Sequence, residues 1–81
     1  MTRYETYIDG QRRLFDSRDE AESVMLAAGM EYADSRACDH PSEERRYYLP
    51  TGTLEQYPNA DAAFDDLYGD GYEPCITPIE D

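Results

Sequence analysis

The chain has 81 residues, with 7 basic side chains against 19 acidic ones and a net charge of -12. We do not expect so acidic a chain to bind nucleic acid or anionic lipid directly, because both require a positive protein surface. Its length suffices for one small domain, residues 1–81, and leaves no chain for a second module. With 40% apolar residues, that domain has enough apolar side chains to form a core.

A β-hairpin is the first predicted element. Residues 3–8 and 11–15 are rich in strand-forming residues and flank Asp9-Gly10, a dipeptide that favours a two-residue hairpin turn. Successive residues of a strand point to opposite faces, so this turn also determines which side chains share a face. The inward face carries Tyr4, Ile8 and Phe15, and the outward face carries Glu5, Tyr7, Arg12 and Leu14.

A helix is predicted to follow the hairpin. Ser17 and Glu20 have the spacing of a capping box, which predicts a first helical turn near residue 18. Gly29 favours an end there, although the apolar pattern also permits the helix to continue towards residue 35. The core-facing stripe, at the spacing of one helix face, consists of Ala21, Val24, Met25 and Ala28.

The middle of the chain favours strands. Residues 30–37 fit either a strand or a continued helix, and the alternation at their start favours the strand. Residues 38–42 are typical of a loop, because a proline disfavours helix at the residue before it. Residues 45–49 predict a tyrosine-rich strand, which the turn-forming residues 50–52 end.

The C-terminal part predicts a second helix and one more strand. Asn59 has a side chain typical of a helix cap, and an apolar stripe follows over residues 60–68. Residues 72–76 suggest a short strand, which Pro74 places at a sheet edge because proline cannot donate a ladder hydrogen bond. The predicted order is β-β-α-β-β-α-β, an α+β fold whose antiparallel sheet carries both helices on one side.

The cysteines and the histidine are the candidate metal ligands. Cys38, Asp39 and His40 form the one sequence cluster of ligand types, and Cys75 is the residue that would join them. A structural zinc site takes four ligands, commonly from two close pairs, whereas this chain offers one pair and a distant cysteine. We expect no metal site, and we keep a small metal-binding protein using Cys38, His40 and Cys75 as an alternative.

Residues 1–5 show no secretion signal, so both thiols are expected to stay reduced.

The sequence contains no catalytic or cofactor-binding motif. The acidic segment 65–73 departs from a calcium loop, because Tyr68 and Thr77 stand where that loop needs carboxylate-type ligands. The five glycines are scattered and lysine is absent, which excludes the usual phosphate-binding loops. No apolar run approaches the roughly 18 residues that cross a bilayer. We therefore predict a cytoplasmic protein without enzymatic activity, cofactor or membrane partner.

Negative charge is concentrated after the hairpin. Residues 1–18 hold four arginines and three acids (+1), whereas residues 19–81 hold three arginines and sixteen acids (-13). On a helix, Asp61 and Asp65 would lie about 5–6 Å apart at Cβ, comparable with the spacing of phosphates along a DNA strand. We therefore predict an acidic partner-binding surface with tyrosines as anchors. It comprises Asp61, Asp65, Asp66, Asp70, Glu73, Tyr68 and Tyr72, with Glu43, Glu44 and Asp39 as a second patch in the loop.

A short, strongly acidic α+β chain without a catalytic motif resembles the small phage-encoded inhibitors that mimic DNA, among them anti-CRISPR and anti-restriction proteins. The resemblance covers size and charge and includes no motif, so no functional residue is carried over from it. It implies that the acidic surface occupies the Arg/Lys channel of a nuclease or CRISPR surveillance complex. Such a protein would block nucleic-acid binding by competition.

An acidic structural domain is the alternative interpretation. All seven basic residues are arginines, and an acid excess without lysine is typical of proteins that stay soluble at high salt. The predicted strand 45–49 would then offer an edge for pairing with a second copy, which would make the protein a homodimer.

Overall fold

The computed structural model describes residues 1–38 and 43–80. Within these residues the predicted α+β class and the predicted order of elements are confirmed. Neighbouring strands are antiparallel and follow the sheet order β2-β1-β5-β4-β3. The elements are β1 (Thr2–Ile8), β2 (Gln11–Phe15), α1 (Arg18–Ala27), β3 (Met30–Ala37), β4 (Glu44–Pro50), a 3₁₀ turn (Leu54–Gln56), α2 (Ala60–Leu67) and β5 (Cys75–Glu80).

The hairpin turn forms at the predicted dipeptide. Asp9 and Gly10 have φ angles of 53° and 78°, the left-handed values that a two-residue turn needs at both positions. The register is the predicted one, with Tyr4 opposite Phe15. Tyr4, Ile8 and Phe15 belong to the cluster beneath α1, so the predicted inward face is confirmed.

Both helices start at their predicted caps. The Ser17 hydroxyl accepts a hydrogen bond from the backbone N–H of Glu20 at 3.2 Å. The Asn59 side-chain oxygen accepts one from the N–H of Ala62 at 2.8 Å. Each bond satisfies an amide that lacks an intrahelical partner. Helix α1 ends two residues before Gly29, whose φ of 83° turns the chain directly into β3.

The two helices lie on opposite faces of the sheet, so the prediction of both on one side is wrong. The central strands are apolar at successive positions, and successive side chains point to opposite faces. Each face of the sheet therefore has to be buried by a helix. The cluster under α1 contains Phe15, Ala21, Met25, Tyr48 and Ile76, and the cluster under α2 contains Tyr47, Leu49, Ala63, Phe64 and Cys75.

Strand β5 differs from the expected short edge strand at residues 72–76. It begins one residue after Pro74 and occupies the centre of the sheet. It pairs with β4 through Cys75 and Ile76, and with β1 from Thr77 onwards. At Pro78, β5 is paired with β1 alone. The missing N–H of this proline therefore does not interrupt pairing with strands on both sides.

The tyrosine-rich strand does not offer the expected dimerisation edge. Strand β4 lies between β3 and β5 and pairs with β3 along its length and with β5 at Arg46 and Tyr47. The outer strands of the described sheet are β2 and β3. Residues 45–49 therefore do not form the free sheet edge that was expected to pair with a second copy.

Candidate partner-binding surface

Arginines neutralise the acids of the predicted second patch. Glu43 pairs with Arg18, the first residue of α1, at 3.1 Å, and Glu44 pairs with Arg46 at 3.4 Å. Glu44 is the first residue of β4 instead of a loop residue. These two carboxylates already have partners within the fold, and Asp39, the third member of the patch, lies outside the described residues.

Arg36 lies among the acids of the predicted partner-binding surface. The Arg36 guanidinium, on β3, pairs with Asp34 (3.3 Å), Asp61 (3.1 Å) and Glu73 (3.5 Å). Its central carbon lies 4.3 Å from the centre of the Tyr47 ring. Two of the predicted partner-binding acids are thereby tied to an internal cation. A depression of about 530 Å³ here is lined by Arg36, Asp61, Phe64, Asp65, Gly69 and Glu73.

The remaining predicted acids gather at the C-terminal end of α2. We call Asp65, Asp66 and Asp70 the α2 acidic end. Asp66 accepts a hydrogen bond from the Tyr57 hydroxyl. Within the described residues, no arginine pairs with any of the three, and the last turn of α2 contains no basic residue. The backbone dipole makes this end of a helix negative, so the carboxylates add like charge to it.

A second feature is an open apolar groove of about 490 Å³, which we call the tyrosine groove. It is present because α2 covers β4 and β5 and leaves the outward face of the hairpin bare. The rings of Tyr7 and Tyr72 meet edge to face at 5.5 Å, and both residues are exposed. Burial of the hydroxyl, with Cys75 beside it, raises the pKa of Tyr72 to about 12. The groove is lined by Tyr7, Asp9, Gly10, Tyr68, Tyr72 and Pro74.

The groove contains four residues that the sequence did not assign to the site: Tyr7, Asp9, Gly10 and Pro74. Tyr68 and Tyr72 were predicted as anchors, whereas Tyr7 and Asp9 were treated as parts of the hairpin. The available signal was the outward position of Tyr7, since an exposed aromatic residue on a strand often marks an interface. The outward position of Tyr7 does not reveal that the segment with Tyr68 and Tyr72 packs beside it to form the groove.

The candidate metal ligands are not assembled in the described part of the chain. Cys75 is buried in β5, and the Cys38 thiol lies 3.7 Å from the backbone oxygen of Glu43. Both thiols are free, and His40 lies outside the described residues. Within residues 1–38 and 43–80, no three Cys, His, Asp or Glu side chains are placed to hold a metal ion. No described helix is long and apolar enough to cross a membrane.

The α2 acidic end and the tyrosine groove adjoin each other. Tyr68 directly follows α2, packs against Phe64 with ring centres 6.1 Å apart, and lines the groove. A tight turn that carries Asp70 leads on to Tyr72, with the N–H of Gly71 bonded to the Tyr68 oxygen at 2.8 Å.

Comparisons with protein-family models, curated proteins and solved structures find no match for the chain.

Proposed function

We propose that this protein is a non-enzymatic inhibitor of the anti-CRISPR or anti-restriction type. It binds a basic nucleic-acid-binding protein, a nuclease or a CRISPR surveillance complex through the α2 acidic end and Asp61, and so blocks nucleic-acid binding. The observation that carries the proposal is the group of carboxylates that no arginine neutralises, at the helix end where the dipole opposes them. Asp65 and Asp66, in the last turn of the helix, each cost the free fold roughly 0.3–1 kcal/mol, and a basic partner would remove that cost.

The mechanism is competition for a basic channel. Asp61 and Asp65 are exposed on successive turns of one helix, at intervals like those of a phosphate row. Asp61 pairs with Arg36, but its side chain stays 79% exposed and can still face a basic partner. A complementary positive surface accelerates encounter, and salt screens the attraction. Binding should therefore weaken as ionic strength rises and as competing duplex is added. We place this encounter in the cytoplasm, where such complexes receive their targets.

The test compares two double variants that carry the same net charge. Asp65→Asn/Asp70→Asn neutralises the α2 acidic end, and Asp19→Asn/Glu20→Gln neutralises two exposed acids in the first turn of α1. Each immobilised variant, and the wild type, is exposed to cell lysate at low salt and eluted with duplex DNA. We expect a nucleic-acid-binding complex on the wild type and the α1 variant, and its loss from the α2 variant.

The retained complex is then purified for a direct assay. Its binding to labelled duplex is measured by fluorescence anisotropy while each form of the protein is added. Inhibition by the wild type and the α1 variant, but not by the α2 variant, supports the proposal. Equal inhibition by both variants would show that overall charge acts and the α2 acidic end does not.

The second candidate is an acidic structural domain adapted to high salt. It is favoured by exposed acids away from α2, such as Asp19, Glu20 and Glu55. Such a domain requires molar salt to fold, because its carboxylates otherwise repel one another. A cooperative thermal transition in dilute buffer would favour the inhibitor, and unfolding below molar salt would favour the structural domain.

A further inference from the structure

The chain holds several of its own arginines in one recurring way. The guanidinium carbon lies 4.3–5.6 Å from the centre of a tyrosine ring, and a carboxylate pairs with its nitrogens. The negative face of the ring attracts the planar, weakly hydrated cation, and the carboxylate neutralises it. The three sets are Arg18 with Tyr4 and Glu43, Arg36 with Tyr47 and Asp34, and Arg46 with Tyr32 and Glu22.

The tyrosine groove has the same kinds of ring and carboxylate, and no arginine is among the described residues that line it. Tyr7, Tyr68 and Tyr72 supply the rings, and Asp9 supplies a carboxylate at the wall. Among the described residues, the contacts between arginines and rings involve other rings and none of these three. The volume of about 490 Å³ lies within the range of roughly 300–1,000 Å³ that ligand sites occupy.

We infer that the tyrosine groove binds an arginine side chain of the basic partner, with the guanidinium against the tyrosine rings and Asp9. This inference rests on the proposed function and names the partner residue that anchors it. The adjoining α2 acidic end draws a positive surface to this side of the molecule. Arginine is preferred to lysine because its planar cation stacks on rings and loses its hydration shell more readily.

The test uses three peptides of equal length, made of arginine, lysine or citrulline, the neutral analogue of arginine. Chemical shifts of the isotope-labelled protein are followed by NMR in dilute buffer. We expect the arginine peptide to shift the ring signals of Tyr7, Tyr68 and Tyr72 together with the Gly10 amide. The lysine peptide should bind more weakly there, and the citrulline peptide should leave these signals in place.

Substitutions in the groove separate its two components. Tyr7→Leu keeps an apolar side chain and removes the ring, so we expect arginine-peptide affinity to fall roughly 2- to 30-fold. Tyr7→Phe keeps the ring and should restore the affinity. Asp9→Asn removes the carboxylate but retains the turn, because Asn-Gly also favours two positive φ angles. This variant should bind the peptide more weakly without loss of the fold.

The outcomes separate this inference from the function on which it rests. Arginine-peptide shifts confined to α2, with Tyr7→Leu binding as tightly as the wild type, overturn the groove inference and leave the inhibitor proposal standing. Equal shifts with the citrulline peptide also overturn it, because no cation is then required. Groove shifts without retention of any nucleic-acid-binding complex by the full protein contradict the inhibitor proposal alone.

Discussion

The side chain of Arg36 joins three segments that are distant in the sequence. It extends from β3, pairs with Asp61 on α2 and with Glu73 before β5, and lies over the Tyr47 ring of β4. Its side chain is 37% exposed, so each ion pair contributes at most about 1 kcal/mol. The contact with the ring adds roughly 0.5–2 kcal/mol. Together these contacts hold an acidic helix on the sheet.

We predict that Arg36→Gln lowers the free energy of unfolding by about 1–3 kcal/mol. Arg36→Lys should recover only part of this loss, because an ammonium group cannot stack flat on a ring or pair bidentately with a carboxylate. Arg13→Gln is the control with the same charge change, since Arg13 makes no ion pair among the described residues and lies farther from a ring, 5.9 Å from the centre of Phe15. The measurement is urea denaturation, and equal losses for Arg36→Gln and Arg13→Gln would contradict the prediction.

Residue roles that act over a few positions could be predicted from the sequence, and roles that depend on distant contacts could not. The turn at Asp9-Gly10 and the caps Ser17 and Asn59 need only neighbours within three residues. The partners of Arg36 could not be foreseen in this way, since Asp61 lies 25 positions away. Arg36 neutralises Asp61 only because α2 packs on the sheet beside β3.

At the scale of elements, α1 and α2 use their acids in opposite ways. Helix α1 has Asp19 and Glu20 in its first turn, where the positive end of the dipole stabilises them. Helix α2 has Asp65 and Asp66 in its last turn, where the dipole is negative and no basic residue is present. The α1 acids therefore favour folding, whereas the α2 acids oppose it.

The same substitution should thus have opposite effects in the two helices. We predict that Asp65→Asn raises the free energy of unfolding by about 0.3–1 kcal/mol and that Asp19→Asn lowers it by a similar amount. Both differences should shrink in molar salt, which screens the dipole. Thermal unfolding at low and high salt measures them. Changes of the same sign would show that the carboxylates act through net charge instead of through the helix ends.

The strands show which structural signal was present in the sequence and which was misleading. Residues 47–49 are consecutively apolar, a pattern typical of a strand buried on both faces. That pattern predicts cover on both sides of the sheet, which is the arrangement that α1 and α2 provide. Pro74 indicated an edge strand, whereas β5 begins after it at the centre of the sheet, and the missing pairing that tolerates Pro78 there is a tertiary feature.

At the scale of the whole molecule, hydrogen bonds from phenol hydroxyls to carboxylates link different segments of the chain. Among residues 1–38 and 43–80, three tyrosine hydroxyls donate to carboxylates. Burial and the bond to a carboxylate raise the pKa of Tyr48, and burial alone raises that of Tyr68. Unfolded tyrosines titrate near pH 10, whereas the pKa of folded Tyr72 is about 12. The donor–acceptor pairs are Tyr4 with Glu43, Tyr48 with Glu22 and Tyr57 with Asp66.

The raised phenol pKa values determine the sign of the alkaline pH dependence. Below about pH 10 the folded and unfolded chains both keep their phenolic protons, so this contribution to stability is constant. Between about pH 10 and about pH 12 the unfolded chain releases protons that the folded chain retains. We therefore predict that the free energy of unfolding falls as the pH rises through this interval. Urea midpoints measured across it check the prediction.

Tyr48→Phe tests whether the buried phenol carries a share of that fall. The variant lacks the hydroxyl that donates to Glu22 at 2.7 Å, so it should be less stable near neutral pH. Its stability should then decline less steeply above about pH 10, because one titrating group is absent. Met25→Leu alters the same core cluster without a titrating group and should decline in parallel with the wild type. If Tyr48→Phe also declines in parallel, the Tyr48 phenol titrates equally in both states, and the hydrogen bond to Glu22 does not link the β4 strand to α1 in solution.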